Sequence, residues 1–162
     1  MFEKIFVRKI IAATISGALF AILLGFVSPN PFGEQVHPYF YSALTIINVY
    51  LIYSFPVILL YGVLTSIVSD KIAEFIAKKS GHKMKEIVVS GILHIVFGLV
   101  LLPFSLAAAL LFFVTDRILL KQKKNFHWLL AVKSFAIPAV LWIISIGIVW
   151  INDFISNFRG SF

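Results

Sequence analysis

The sequence predicts an all-α, polytopic helical membrane protein with four or five membrane segments. Sixty per cent of its residues are hydrophobic and its mean hydropathy is +1.01. Only 13% are charged, against about a quarter in ordinary soluble domains. The apolar residues also gather in long runs separated by short basic segments, the pattern of bilayer crossings and their loops. At 162 residues the chain is expected to form a single integral domain, because each crossing takes about 20 residues. The 14 Lys and Arg outnumber 7 Asp and Glu, but they lie at the ends of apolar runs, where they set orientation. No nucleic-acid partner is expected. With no cysteine, disulfides, thiol nucleophiles and cysteine metal sites are excluded.

The first run, residues 10–27, follows Lys4, Arg8 and Lys9 and is long enough for an uncleaved first helix rather than a signal peptide's apolar region. Those three cations are expected to hold the amino terminus in the cytoplasm. Ala13, Gly17, Ala21 and Gly25 recur every four residues, so they form a strip along one face where another helix can approach closely. Pro29 and Pro31 then end the helix. The second run, residues 40–68, begins at interfacial tyrosines, carries Asn48, Ser54 and Pro56, and exceeds the length of one crossing. Near its exit Gly62, Ser66 and Asp70 fall four apart. Such a polar stripe either binds a ligand or faces another helix, and the second is the expectation.

From Ser69 to Ser80 the spacing of Ile72, Phe75 and Ile76 predicts a short amphipathic helix. Ser69 or Asp70 would cap it and Gly81 would stop it; it would lie along the cytosolic interface or extend the second crossing. The lysines between Lys71 and Lys85 suit orientation and would also attract anionic inner-leaflet lipids. Residues 87–114 read as one tilted crossing or as a hairpin, segments 87–102 and 104–120, turning near Pro103. The positive-inside rule favours the hairpin: one crossing would leave Arg117, Lys121, Lys123, Lys124 and Lys133 outside, whereas a hairpin leaves only Arg159 there. Its arms are short enough to be re-entrant. The last segment, residues 134–151, has Trp128 as an anchor, and Lys133 can snorkel to the headgroups.

No catalytic, cofactor or metal motif is present. His37, His82, His94 and His127 each lack a second ligand three or four residues away, and neither HExxH, P-loop nor GxGxxG spacing occurs. The candidate functional polar residues are His94, Asp70, Ser66, Asp116 and Arg117. His94 shares a face with Ser90 and Gly98 inside an apolar segment, where an ionisable group marks a functional position or a neutral ring bonded to a neighbouring helix. Asp116 and Arg117, being adjacent, point in different directions; each would bond to another helix or sit at the cytosolic interface, the latter being expected.

The stretch Tyr61–Asp70, YGVLTSIVSD, followed by Gly91-Ile92-Leu93-His94, resembles the small multi-spanning membrane proteins of Bacillus chromosomes and prophages, of the YwlA and YopD type. The resemblance covers roughly residues 53–98. It implies a bacterial cell membrane and prophage linkage, and it carries no active residues over. The resulting expectation is a non-enzymatic protein that works through contacts with other membrane helices or its own copies, in envelope protection or immunity to a membrane-active peptide. The alternative is a small transporter or channel subunit with a polar path near His94.

Overall fold

The computed structural model describes residues 2–31, 33, 38–80, 83–100, 103–122 and 125–159. His37, Gly81, His82, Lys123 and Lys124, with the ends of the Pro103 turn at Leu101 and Leu102, lie outside them. Every regular element among the described residues is helical. Helix α1 spans Phe2–Val27 and so starts eight residues before the apolar run, with Glu3 favourably placed in its first turn. It ends where Ser28 N donates to Leu24 O at 2.8 Å, just ahead of the two prolines.

Helix α2, Tyr39–Val57, opens on Pro38, whose carbonyl accepts from Tyr41 N and Ser42 N at 2.9 and 3.1 Å. It runs through Pro56 into a π-helical turn, Ile58–Gly62, and then directly into α3, Val63–Ser80. Proline removes a backbone donor and its ring crowds the carbonyl one turn earlier; a single wide turn accommodates that disturbance without ending the helix. The segment after Ser69 is therefore an extension of the second helix. Ser69 and Asp70 lie in its interior and cap nothing, which corrects the expected capping role.

Helices α4, Lys83–Leu99, and α5, Pro103–Lys121, run side by side in opposite directions, with Gly91 beneath Phe113 and Gly98 against Leu106 and Ala109. Their joined end packs against the π turn, where Tyr61 Oη donates to Phe97 O at 3.1 Å. That point lies about 33 Å along the helix from Tyr39. Helix α6, Trp128–Ser134, leads through Phe135 into α7, Ala136–Arg159, which extends beyond the expected boundary at residue 151. Three helical stretches, Glu3–Val27, Tyr39–Lys79 and Trp128–Phe158, are long and apolar enough to cross a membrane; Glu86–Leu99 is apolar but shorter.

Helix α1 is the central element. At its carboxyl-terminal end it packs on α2, where Gly25 admits Ile47 and the Ala43 carbonyl, and Gly17 admits the ring of Phe55. Ala13 and Ala21 are likewise buried, so the strip of small residues is filled from within the chain. Helix α7 closes that end through Ser145, which donates to Asn48 Oδ1 at 2.7 Å. At its amino-terminal end α1 is surrounded instead by α3, α5 and α6, with Val7, Ile11, Phe112, Leu119 and Ala131 in one apolar cluster. The amino terminus of α1, the carboxyl termini of α3 and α5 and the start of α4 thus share one basic end.

Candidate functional site

Within this basic end lies a network of charges that the apolar helices enclose. Lys9, on α1, is 0% exposed. Its ammonium donates to Ser66 Oγ at 2.6 Å, Asp70 Oδ2 at 2.6 Å and Asp116 Oδ2 at 3.1 Å. Three hydrogens thus meet three oxygens contributed by α3 and α5, which satisfies a charge that would otherwise be prohibitive to bury. Neighbouring Arg8 donates through Nε to the other Asp116 oxygen at 2.8 Å, and through Nη2 to Asp116 Oδ2 at 3.4 Å. Asp116 is consequently sealed, with its side chain 1% exposed, whereas the side chain of Asp70 retains 22%.

Arg117 donates to Asp70 Oδ1 and, at 2.6 Å, to Ser90 Oγ, which itself donates to Asp70 Oδ1 at 2.7 Å. Its guanidinium sits over the Phe113 ring, 5.1 Å from the centroid, while its Nε is buried without a partner. The adjacency of Asp116 and Arg117 thus does what helical geometry allows: one reaches α1 and the other reaches α3 and α4. Both bond to other helices, Asp116 in the packed interior and Arg117 partly exposed at the vestibule wall.

His94 stands at the inner edge of the network. The Ser90 carbonyl can only accept, so the 2.7 Å contact gives the ring hydrogen to Nδ1. His94 Nε2 pairs with Ser66 Oγ at 3.1 Å, the same oxygen that accepts from Lys9. The Phe113 ring lies 5.1 Å away, centroid to centroid. Three cations and two carboxylates therefore share the network, leaving one positive charge in excess.

Two cavities flank it. On the basic side a vestibule of about 260 Å³ is lined by the charged Arg8, Asp70, Lys71, Glu74, Glu86 and Arg117 together with the apolar Ile5, Ile67 and Leu120, so Asp70 faces both Lys9 and this opening. Beyond His94 a hollow of about 50 Å³ lies between the π turn and the end of α4 and α5, bounded by Gly62, Gly98, Ala108, Ala109 and Phe112. It has room for only a few waters, and its walls are almost wholly apolar.

All five polar residues singled out in the sequence meet here. The stripe of Gly62, Ser66 and Asp70 faces other helices, with Asp70 alone also open to the vestibule. Sequence reasoning missed Arg8 and Lys9, which read as orientation charges. A signal was present: Lys9 is four residues before Ala13, so it continues the strip of Ala13, Gly17, Ala21 and Gly25 that had to face another helix. Among the described residues no three His, Asp or Glu side chains gather as a metal centre. No family model matches the chain, and neither a curated protein nor a solved structure matches it.

Proposed function

We propose that this chain is a small multi-pass cell-membrane protein that serves as a transporter or channel subunit for a small polar solute. The observation that carries the reading is the double exposure of Asp70, which holds the fully buried Lys9 ammonium at 2.6 Å and also forms part of the vestibule wall. Ionisable groups enclosed by membrane helices commonly mark solute or ion pathways. A solute that competes for Asp70 would disturb a pin joining α1, α3, α4 and α5, so occupancy would be coupled to helix arrangement.

In this reading the amino terminus is cytoplasmic and there are five membrane segments, with α4 and α5 as a short hairpin entering from the cytoplasmic side and ending at the level of the π turn. Support comes from the 3.2 Å bond between Lys4 Nζ and Asn125 Oδ1, since residues in contact must lie on the same side of a bilayer. The lysines of α3 would then meet anionic inner-leaflet lipids. The small-residue strip, which supported a role in contacts with other proteins or copies, is occupied by the chain's own α2, so the charge network ranks first. The role is non-enzymatic: Ser66 lies within reach of His94, but it is 0% exposed and already accepts from Lys9.

The test is solute flux into proteoliposomes. Asp70→Asn should reduce flux at least tenfold and His94→Ala should reduce it less, because Asp70 faces the vestibule and His94 does not. Flux that is indifferent to Asp70, or none at any pH for any small polar solute, would sink the reading.

A further inference from the structure

We infer that the vestibule at the basic end is a binding site for a small zwitterion, a molecule carrying one ammonium and one anionic group. This deepens the transport reading by naming the solute class. Its walls bear three cations, Arg8, Lys71 and Arg117, and three carboxylates, Asp70, Glu74 and Glu86. A lining of that composition opposes the entry of a net cation or a net anion, while offering partners to both ends of a zwitterion. Its volume of about 260 Å³ suits a molecule of a few heavy atoms, just below the usual range of about 300–1,000 Å³ for drug-sized ligands.

Not all six groups are equally available. Arg8 is committed to Asp116, Arg117 to Asp70 and Ser90, and Glu74 to Lys78 at 2.6 Å. Lys71, on α3, and Glu86, on α4, form no ion pair with a described residue and stand on different helices lining the same opening. One charge of each sign, neither in a salt bridge with a described side chain and each felt only at longer range by Glu74 or Lys78, is the arrangement that fits two opposite charges of a single ligand. The geometry therefore points the anionic group to Lys71 and the ammonium to Glu86, over a floor fixed by the Asp70–Arg117 pair. Both amino-acid-like solutes and the phosphoethanolamine headgroup of a lipid have this chemistry.

The purified wild-type protein in phosphatidylcholine nanodiscs would be titrated with glycine and glycerophosphoethanolamine, both net-neutral zwitterions, and with ethanolamine and inorganic phosphate as single-sign controls, at constant ionic strength. The expected result is a concentration-dependent rise of the unfolding midpoint with a zwitterion and none with either control. Lys71→Gln and Glu86→Gln, conservative changes at groups in no salt bridge with a described side chain, should each weaken that binding about tenfold, the equivalent of 1.4 kcal/mol. An equal response to phosphate or ethanolamine alone, or no response to any zwitterion, would overturn the assignment. Adding phosphatidylethanolamine to the nanodisc separates the sources: loss of the response to free zwitterion identifies the headgroup as ligand, and its persistence identifies a free solute. Zwitterion binding without flux would refute the transport reading and leave the site standing; flux of another solute without zwitterion binding would do the reverse.

Discussion

Lys9 is an ammonium that relies wholly on protein oxygens. Burying it is tolerable only because Ser66, Asp70 and Asp116 replace its water, and the converse holds for Asp116, which depends on Lys9 and Arg8. Removing one partner of such a pair leaves the other charge without compensation, a loss of about 3–5 kcal/mol. Lys9→Met should accordingly lower the unfolding midpoint in detergent more than Lys4→Met, since the Lys4 side chain is exposed and bonds Asn125 at 3.2 Å. Similar midpoints for the two variants would refute the idea that the network pins the fold. Its acidic and histidine members were legible in the sequence because charged or imidazole groups stand out in apolar runs. Its basic members were not, since a lysine near a helix start serves equally well as a loop charge, and burial is decided by partners up to 108 positions away.

At the scale of elements, the absence of side chains matters as much as their presence. A Cβ on Gly98 would stand 2.8 Å from Ala109 Cβ and 3.2 Å from Leu106 Cα, and the latter is backbone that cannot rotate aside. Gly98→Leu should therefore force α4 and α5 apart and cost about 1–3 kcal/mol through overpacking. Gly147→Leu is the control, because nothing lies within 4 Å of the Cβ it would gain. If both substitutions shift the denaturation midpoint equally, close packing of α4 on α5 is not what holds them together. The all-helical class and the approximate position of each helix followed directly from the apolar runs. The boundaries did not: α1 begins earlier, α3 continues α2 without a cap and α7 ends later, because tertiary contacts and an accommodated proline extend helices past their apolar stretches.

For the whole molecule, the distribution of helices along its length is uneven. α1, α2 and α7 form the far end, while α3, α4, α5 and α6 gather around α1 at the basic end. A single cysteine at Gln122, in a chain that has none, tests the proposed orientation. With a membrane-impermeant thiol reagent it should stay unlabelled in intact cells and react after lysis. Labelling of intact cells would mean that the loop after α5 is outside, contrary to five segments with a cytoplasmic amino terminus. The composition made the membrane class legible at this scale. The unequal ends were not legible, since hydropathy records how long a run is but not how far along its neighbours it packs.

The π turn at Ile58–Gly62 also sets the phase of everything that follows it. Each residue of an α-helix advances the direction of its side chain by about 100°. Were this turn to close up into regular α geometry with all five of its residues kept, Ser66 and Asp70 would rotate by roughly that amount away from Lys9 while the hydropathy of the segment stayed the same. Such a chain would still be read by the insertion machinery as the same membrane helix, yet it would bring its carboxylate to the wrong face. Helix formation and network assembly are thus separately encoded, and the second depends on one irregular turn keeping count for the first.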